Sequence, residues 1–346
     1  MAYTTINKSG DYFNTKLFTG NGGTNALTGV GFEPSLTWIK CRDDTHNPNW
    51  FDAVRGVTKR ISSHSTAAES TVANSLTSFN NDGFTLGASG GENSNNNTYA
   101  SWNWKAGTTS GQATNSYSTI TPTSISFNQT SGFSIIKYTG NATAGAGVPH
   151  GLGVAPKMVI VKNLDSSSYG WYCYHVSLGA TKSLYLHNSD AEVTSNDRWN
   201  GWLPDATNVS LGTNAGTNGS NNMIMYCFAE KTGYSKFGSY TGNGNADGTF
   251  VYTGFKPAFV IIKKTDGADN WTINDNKRVG YNVDNNELFA NLSNAEDTND
   301  VLDLVSNGFK LRHTAGRHNT SGGTYIYMAF AEAPLVGSNG VTAKAR

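Results

Sequence analysis

Short apolar runs separated by loops of Gly, Asn, Ser and Thr fill the chain, and one ordered set of them occurs three times. The first copy reads Phe18-Thr19-Gly20-Asn21-Gly22, then Gly29-Val30-Gly31-Phe32-Glu33-Pro34, then Leu36-Thr37-Trp38-Ile39-Lys40. The second reads Tyr138-Thr139-Gly140-Asn141, Gly151-Leu152-Gly153-Val154-Ala155-Pro156 and Met158-Val159-Ile160-Val161-Lys162. The third reads Tyr240-Thr241-Gly242-Asn243-Gly244, Tyr252-Thr253-Gly254-Phe255-Lys256-Pro257 and Phe259-Val260-Ile261-Ile262-Lys263. In each block Gly and Asn accept the positive φ of a turn, and Pro opens a strand where its missing N–H does no harm. The apolar run that follows suits a strand buried on both faces. Lys40, Lys162 and Lys263 are expected to mark the return to solvent.

The repetition continues downstream. Aromatic positions follow at Trp50-Phe51, Trp171-Tyr172 and Trp271-Thr272, and turns at Asp82-Gly83 and Asn307-Gly308 lead into further apolar alternation. Each copy closes on an aromatic-rich strand: Tyr99 to Trp104, Met223 to Glu230 and Tyr325 to Glu332. These strands alternate with period two, as a sandwich strand does. A repeat of roughly 100 to 120 residues is too long for a solenoid unit and matches the size of an independent β-sandwich or jelly roll. The expected architecture is all-β, three tandem antiparallel β-sandwich modules of jelly-roll type at residues 1–110, 111–232 and 233–346. Ser116 to Ile136 lead into the middle module.

Composition agrees with this. Charged residues make up 14% and glycines number 39, so the polarity is mostly uncharged and turn-forming, while 37% hydrophobic residues supply a core. Net charge is zero with basic residues scattered, which argues against nucleic acid as a partner. No apolar run has the length of a membrane helix, so no membrane insertion is expected, and the polar start carries no export signal. Cys41, Cys173 and Cys227 are an odd number outside any Cys-x-x-Cys pair and read as small buried hydrophobes.

The segments Tyr138 to Lys162 and Phe237 to Lys263, with the endings Tyr226-Cys227-Phe228-Ala229-Glu230 and Met328-Ala329-Phe330-Ala331-Glu332, resemble a family of tandem modules of unassigned function encoded by marine bacteriophages. The resemblance covers essentially the whole chain. It implies concanavalin-like or laminin-G-like jelly rolls, a place on the virion as tail fibre or other structural protein, and no established catalytic residues. It also implies other virion proteins as partners, and a homo-oligomer, commonly a trimer in fibres. The first module departs from the family ending with Ser101-Trp102-Asn103-Trp104, so its face is the expected anchor on the particle.

Glycoside hydrolysis needs two carboxylates roughly 5 to 10 Å apart, and no strand carries such a pair on one face; the chain reads as a non-enzyme. Calcium is the cation that the oxygen-rich loop Asn243, Asn245 and Asp247 would suit, though the spacing matches no EF-hand, and turn chemistry accounts for the same residues. No other cofactor is expected. The histidines show no zinc spacing. Trp50, Trp171, Trp199, Trp202 and Trp271 lie in or beside Asn- and Asp-rich loops and are candidate stacking platforms for host polysaccharide. A loop Trp at a repeated position is more often a lid over the core, whereas Trp199-Asn200-Gly201-Trp202 is unique to the middle module and is favoured as a binding loop. The expected function is a phage tail fibre or host-recognition adhesin that binds by surface. Rival readings are a capsid decoration or tail structural protein and, further off, a depolymerising tailspike.

Overall fold

The computed structural model describes residues 4–278, 286–298 and 301–336, and the module bounds at 1 and 346 lie outside them. The chain is all-β, built as three pairs of antiparallel sheets. The large sheet of the first module orders its strands Phe13–Thr19, Thr98–Trp104, Leu36–Cys41, Asn49–Asp52, Lys59–Ser62 and Ser70–Thr71. The middle module has Ser124–Asn128, Phe133–Thr139, Asn222–Phe228, Met158–Asn163, Trp171–His175, Lys182–Tyr185 and Val193–Thr194. The last has Ser235–Thr241, Thr324–Pro334, Phe255–Lys264, Thr272–Asp275 and Leu288–Phe289. In all three the closing strand lies between the lead-in strand and the apolar run, which is buried along its length because it is covered on both faces.

A small sheet covers one face of each large one. It contains Asn25–Thr28, Gly83–Leu86 and Leu76–Asn80 in the first module, and Phe250–Tyr252, Gly308–Leu311 and Leu302–Val305 in the last. The middle module has two strands here, Ala146–Pro149 and Asn208–Leu211. Between the sheets of the first module pack Ile39, Cys41, Phe51, Phe84 and Leu86, with matching clusters in the others.

The aromatic-Thr-Gly-Asn turn has a partner that sequence reading did not assign. Each module carries a short α-helix of one turn, Gly90–Asn93, Ala215–Asn218 or Gly316–Asn319, whose last residue is a fully buried asparagine. Asn93, Asn218 and Asn319 each accept the backbone N–H of Asn21, Asn141 or Asn243 through Oδ1, at 3.0, 2.9 and 2.8 Å. Their Nδ2 groups donate to nearby carbonyls, so the amide is saturated where water cannot reach it. The approach is close enough that a Cβ on Gly20, Gly140 or Gly242 would lie 2.1, 2.2 or 2.4 Å from the carbonyl oxygen of Ser94, Gly219 or Thr320. Glycine is therefore required there by close backbone approach.

The modules are not independent bodies. The face of each large sheet turned away from its small sheet enters a single core shared by all three. Trp104 of the first module meets Phe228 of the middle module at 6.1 Å and Phe259 and Phe330 of the last at 5.7 Å each. Trp50 packs 5.2 Å from Trp171 and 4.9 Å from Tyr226, and Phe13 stacks on Phe330 at 5.2 Å. Trp102 and Trp104 are core residues: both are buried, because the divergent strand fills the common centre.

Polar groups tie this core together in one cyclic sense. Lys40, Lys162 and Lys263 do not emerge into solvent; they are buried, and each reaches into the neighbouring module. Lys40 Nζ donates to Ser293 C=O at 2.8 Å, Lys162 Nζ to Thr66 C=O at 3.0 Å, and Lys263 Nζ to Ser189 C=O at 3.2 Å. Each also donates to the carbonyl of the residue after it. Burial pulls all three ammonium groups down to about 8, so they stay protonated at neutral pH. A second ring repeats the direction. The carbonyls of Arg42, Leu164 and Thr265 accept the amides of Glu296, Glu69 and Glu192, each from the next module.

A third set shows the same geometry with different chemistry. Tyr226 Oη donates to Asp52 Oδ2 at 2.7 Å and Trp102 Nε1 donates to Asp275 Oδ2 at 2.9 Å, each across a module boundary. Asp52 and Asp275 also hold the buried guanidinium groups of Arg55 and Arg278. Burial pushes the Asp275 carboxyl up, but the adjacent Arg278 cation and the donated hydrogen bonds leave it below the usual range. The equivalent strand position in the middle module is His175, whose partner position holds Met328, a side chain with no N–H or O–H. His175 turns instead to the backbone: Nε2 lies 3.1 Å from Tyr327 C=O and Nδ1 accepts the Ser177 amide at 3.2 Å, which defines the neutral tautomer protonated on Nε2.

Two outcomes follow from this construction. Lys162→Met leaves carbonyls of two modules without their donor and is expected to lower stability by about 3 kcal/mol. Because the core is shared, urea unfolding followed by tryptophan fluorescence and far-UV dichroism should remain one coincident transition; separate transitions would contradict the shared core. The second concerns pH. Burial holds His175 down at about 4, against 6.5 for an ordinary histidine. As pH falls below 6.5 the unfolded chain binds a proton that the folded chain refuses, so stability is full above 6.5 and is lost toward pH 4, by about 3 kcal/mol from this group. Urea midpoints at pH 7 and pH 4.5 should differ less in His175→Gln than in the parent chain.

Candidate functional site

The predicted platform residues separate sharply in the structure. Trp50, Trp171, Trp199 and Trp271 are 1% exposed or less. Trp50, Trp171 and Trp271 belong to the shared core, and the indole N–H groups of Trp171 and Trp271 donate to backbone carbonyls of Ser62 and Tyr185 in neighbouring modules. Trp199 packs against Tyr174 and donates to Ser183 Oγ at 2.9 Å. None of the four can offer a ring face to a ligand, and their assignment as platforms is corrected to that of core residues. Trp50 also proves not to be the counterpart of the other two. Trp171 and Trp271 stand beside the register positions of Lys162 and Lys263, whereas Trp50 sits two residues further along, opposite Trp38.

Trp202 is different, with 52% of its surface exposed. The turn explains why two nearby tryptophans part company. Asn200 and Gly201 both adopt positive φ, 55° and 66°, and the Trp202 N–H closes on Trp199 C=O at 3.1 Å. Trp199 takes the core place that Leu76 and Leu302 hold in the other small sheets, and the chain then leaves the sheet in place of a third strand. Below it, His150 is buried; its Nε2 lies 3.1 Å from Asp205 C=O and its Nδ1 accepts the Leu152 amide. Burial holds this imidazole down at about 4, so a neutral ring pins the base of the loop.

Trp202 and Tyr117, the latter 59% exposed, stand edge to face with centroids 6.3 Å apart and planes at 85°. With Leu203 and Asp205 they wall a cleft of about 350 Å³ whose floor is formed by Gly147 and Ser210. The cleft depends on that glycine. Gly147 pairs with Ser210 in register, and the same places hold Ala26 and Thr85 in the first module and Phe250 and Lys310 in the last. A Cβ on Gly147 would lie 2.0 Å from the Tyr117 carbonyl oxygen, so the glycine also lets the inter-module linker cross the sheet. Ile120 N–H donates to Gly147 C=O at 3.0 Å and fixes that crossing.

The polar groups here are unevenly committed. Asp205 Oδ1 accepts the amides of Thr207 and Asn208 at 2.6 Å each. Asn208 is engaged with Asn115 and Ser118. The Ser210 hydroxyl is buried and makes no hydrogen bond, although its residue lines the cleft. Sequence reading singled out the loop through its unmatched Trp-Asn-Gly-Trp run but missed Tyr117, Asp205 and Ser210. The linker tyrosine looked like boundary sequence, and the serine looked like any strand position.

In the candidate calcium loop the side-chain oxygens are engaged within the protein. Asn243 Oδ1 accepts Asn245 N–H and Asn319 Nδ2, Asn245 Oδ1 accepts Asp247 N–H, and the Asp247 carboxylate pairs with Lys310 at 2.7 Å. These oxygens already serve as turn acceptors and as a lysine partner. Among the described residues no group of three or more His, Cys, Asp or Glu side chains is placed to hold a metal ion. Cys41, Cys173 and Cys227 are buried and free.

No curated protein and no solved structure matches the chain. A family model described as a domain of unknown function (DUF7483) matches residues 8–334, running through all three sheet pairs as one unit, and the chain belongs to that family.

Proposed function

We propose that the chain is a non-catalytic recognition head of a bacteriophage particle, a tail fibre or host-recognition adhesin that works by presenting its surface. The observation that carries this reading is the treatment of tryptophan: seven of the eight are 1% exposed or less, and the eighth, Trp202, stands in an open cleft. An indole left in water on a body that buries every other tryptophan is a contact residue by physical expectation. The resemblance of the repeated blocks to tandem jelly-roll modules of marine phages supplies the particle and the virion partners, and an exposed indole in an Asn- and Asp-rich loop supplies host polysaccharide as the object of contact. The carboxylates nearest the core support a binding role, because Asp52, Asp275, Glu69 and Glu296 are spent in ion pairs with Arg55, Arg278 and Arg42 that hold the fold. The internal threefold arrangement also lets one chain occupy a three-fold position that fibres otherwise fill with three copies.

Gold-labelled antibody on purified particles and saturable binding of the soluble chain to host cells test this reading together. Label at the tail and cell binding are the expected results. Presence in infected cells with absence from particles would overturn it. Binding to particles but not to cells would replace it with a decoration or tail structural role, and release of oligosaccharide from host glycan would replace it with a depolymerase.

A further inference from the structure

We infer that the Tyr117–Trp202 cleft binds an uncharged pyranose unit of a glycan, with one such site per chain. The inference rests on the reading of the chain as a recognition head and names what the head would grip. Two exposed rings at 85° form a corner with one apolar wall and one edge-on wall. A pyranose presents an apolar C–H face and a rim of hydroxyls, so it can lie on the indole with its rim turned to the polar side of the cleft. The volume of about 350 Å³ lies at the lower end of small-ligand pockets, which suits roughly one or two sugar rings.

The polar groups match hydroxyl chemistry. The Ser210 hydroxyl, on a residue 9% exposed, has no hydrogen-bond partner among the described residues. It can donate one hydrogen bond and accept others, as a sugar hydroxyl requires. The Asp205 carboxylate is fixed by the two amides on Oδ1, leaving Oδ2 without a hydrogen bond among the described residues and able to accept from hydroxyl donors. Asp205 is also the one charged residue lining the cleft; no Lys, Arg or His lines it, and His150, which reaches the Asp205 carbonyl from below, is held neutral by burial. A uronic acid or sulfated sugar would bring a second negative charge against it with nothing to offset the repulsion. The other modules lack the site because Phe250 with Lys310 and Ala26 with Thr85 occupy the equivalent floor. Single-site binding of this kind is weak, and strong attachment would come from several chains on one particle.

The test uses the full chain and three sets of oligosaccharides: neutral hexose oligomers of gluco, manno and galacto configuration, their uronic-acid counterparts, and their free-amine counterparts. Saturation-transfer NMR and tryptophan fluorescence report binding. At least one neutral oligomer is expected to bind, with affinity falling tenfold or more in Trp202→Ala and severalfold in Ser210→Ala, and unchanged in Phe250→Ala. Trp202 and Phe250 are exposed, so both variants should melt like the parent and serve as folding controls. Preference for acidic or amino sugars, binding undiminished in Trp202→Ala, or no binding by any neutral oligomer would overturn the inference. If neutral sugar binds but the chain is absent from particles, the cleft assignment holds while the recognition-head reading fails. If cell binding survives in Trp202→Ala, the head reading holds and this site fails.

Discussion

The central strand of each large sheet is buried on both sides, and the small sheet of its own module covers only one of them. The remaining face is what the rest of the structure answers to. A single sandwich of this size would expose Trp38, Trp102 and Trp104, or Ile160, Tyr226 and Phe228, or Phe259, Ile261 and Phe330, as a continuous apolar patch. Closing three such faces on one another removes all three patches at once. The cost is that no module has a finished core by itself.

Closure places polar groups where water cannot follow. Strand-end carbonyls and loop amides at each boundary must find partners inside the protein. The lysine at the end of each apolar run meets this need with a flexible stem and several N–H donors, bridging its own strand to a loop of the next module. The buried Asp–Arg pairs serve similarly, since each aspartate also accepts from a Tyr or Trp across the boundary. Where Met328 offers no donor, His175 stands in place of the aspartate and the adjoining Arg is absent, because a carboxylate there would be buried without its cross-boundary hydrogen bond. The three boundaries thus share a direction and a geometry while differing in side chains.

Much of this was legible in the sequence, and the limits are instructive. The apolar runs, the Thr-Gly-Asn turns, the closing strands and the threefold repeat are local patterns, and the strands lie where those patterns place them. The closure is not local: the partner of Lys162 is Thr66 and the partner of Trp102 is Asp275, in different repeats, and a strand-end lysine reads as solvent-facing unless that partner is known. The tryptophans show the same limit. Trp199 and Trp202 have nearly identical surroundings in sequence, yet a turn of two residues with positive φ sends one into the core and the other into water.

The repeat has a further consequence for where a site can form. Positions of the shared core are constrained from across the module boundaries, as Tyr226 is by Trp50 and Phe330 by Trp104 and Phe228, and so have little freedom to take up a new role. Each small sheet packs on the large sheet of its own module, and there the middle copy departs from the other two. The middle module gives up a third strand, accepts the inter-module linker across Gly147, and turns Trp202 outward, while the first and last modules keep three strands and a filled floor. The exchange leaves the common core untouched, since Trp199 still fills the place of Leu76 and Leu302 beneath it. A body locked at its centre and free to vary at its rim can therefore acquire one distinctive surface without loss of the closure that makes it stable, and the cleft at Tyr117 and Trp202 lies on that rim.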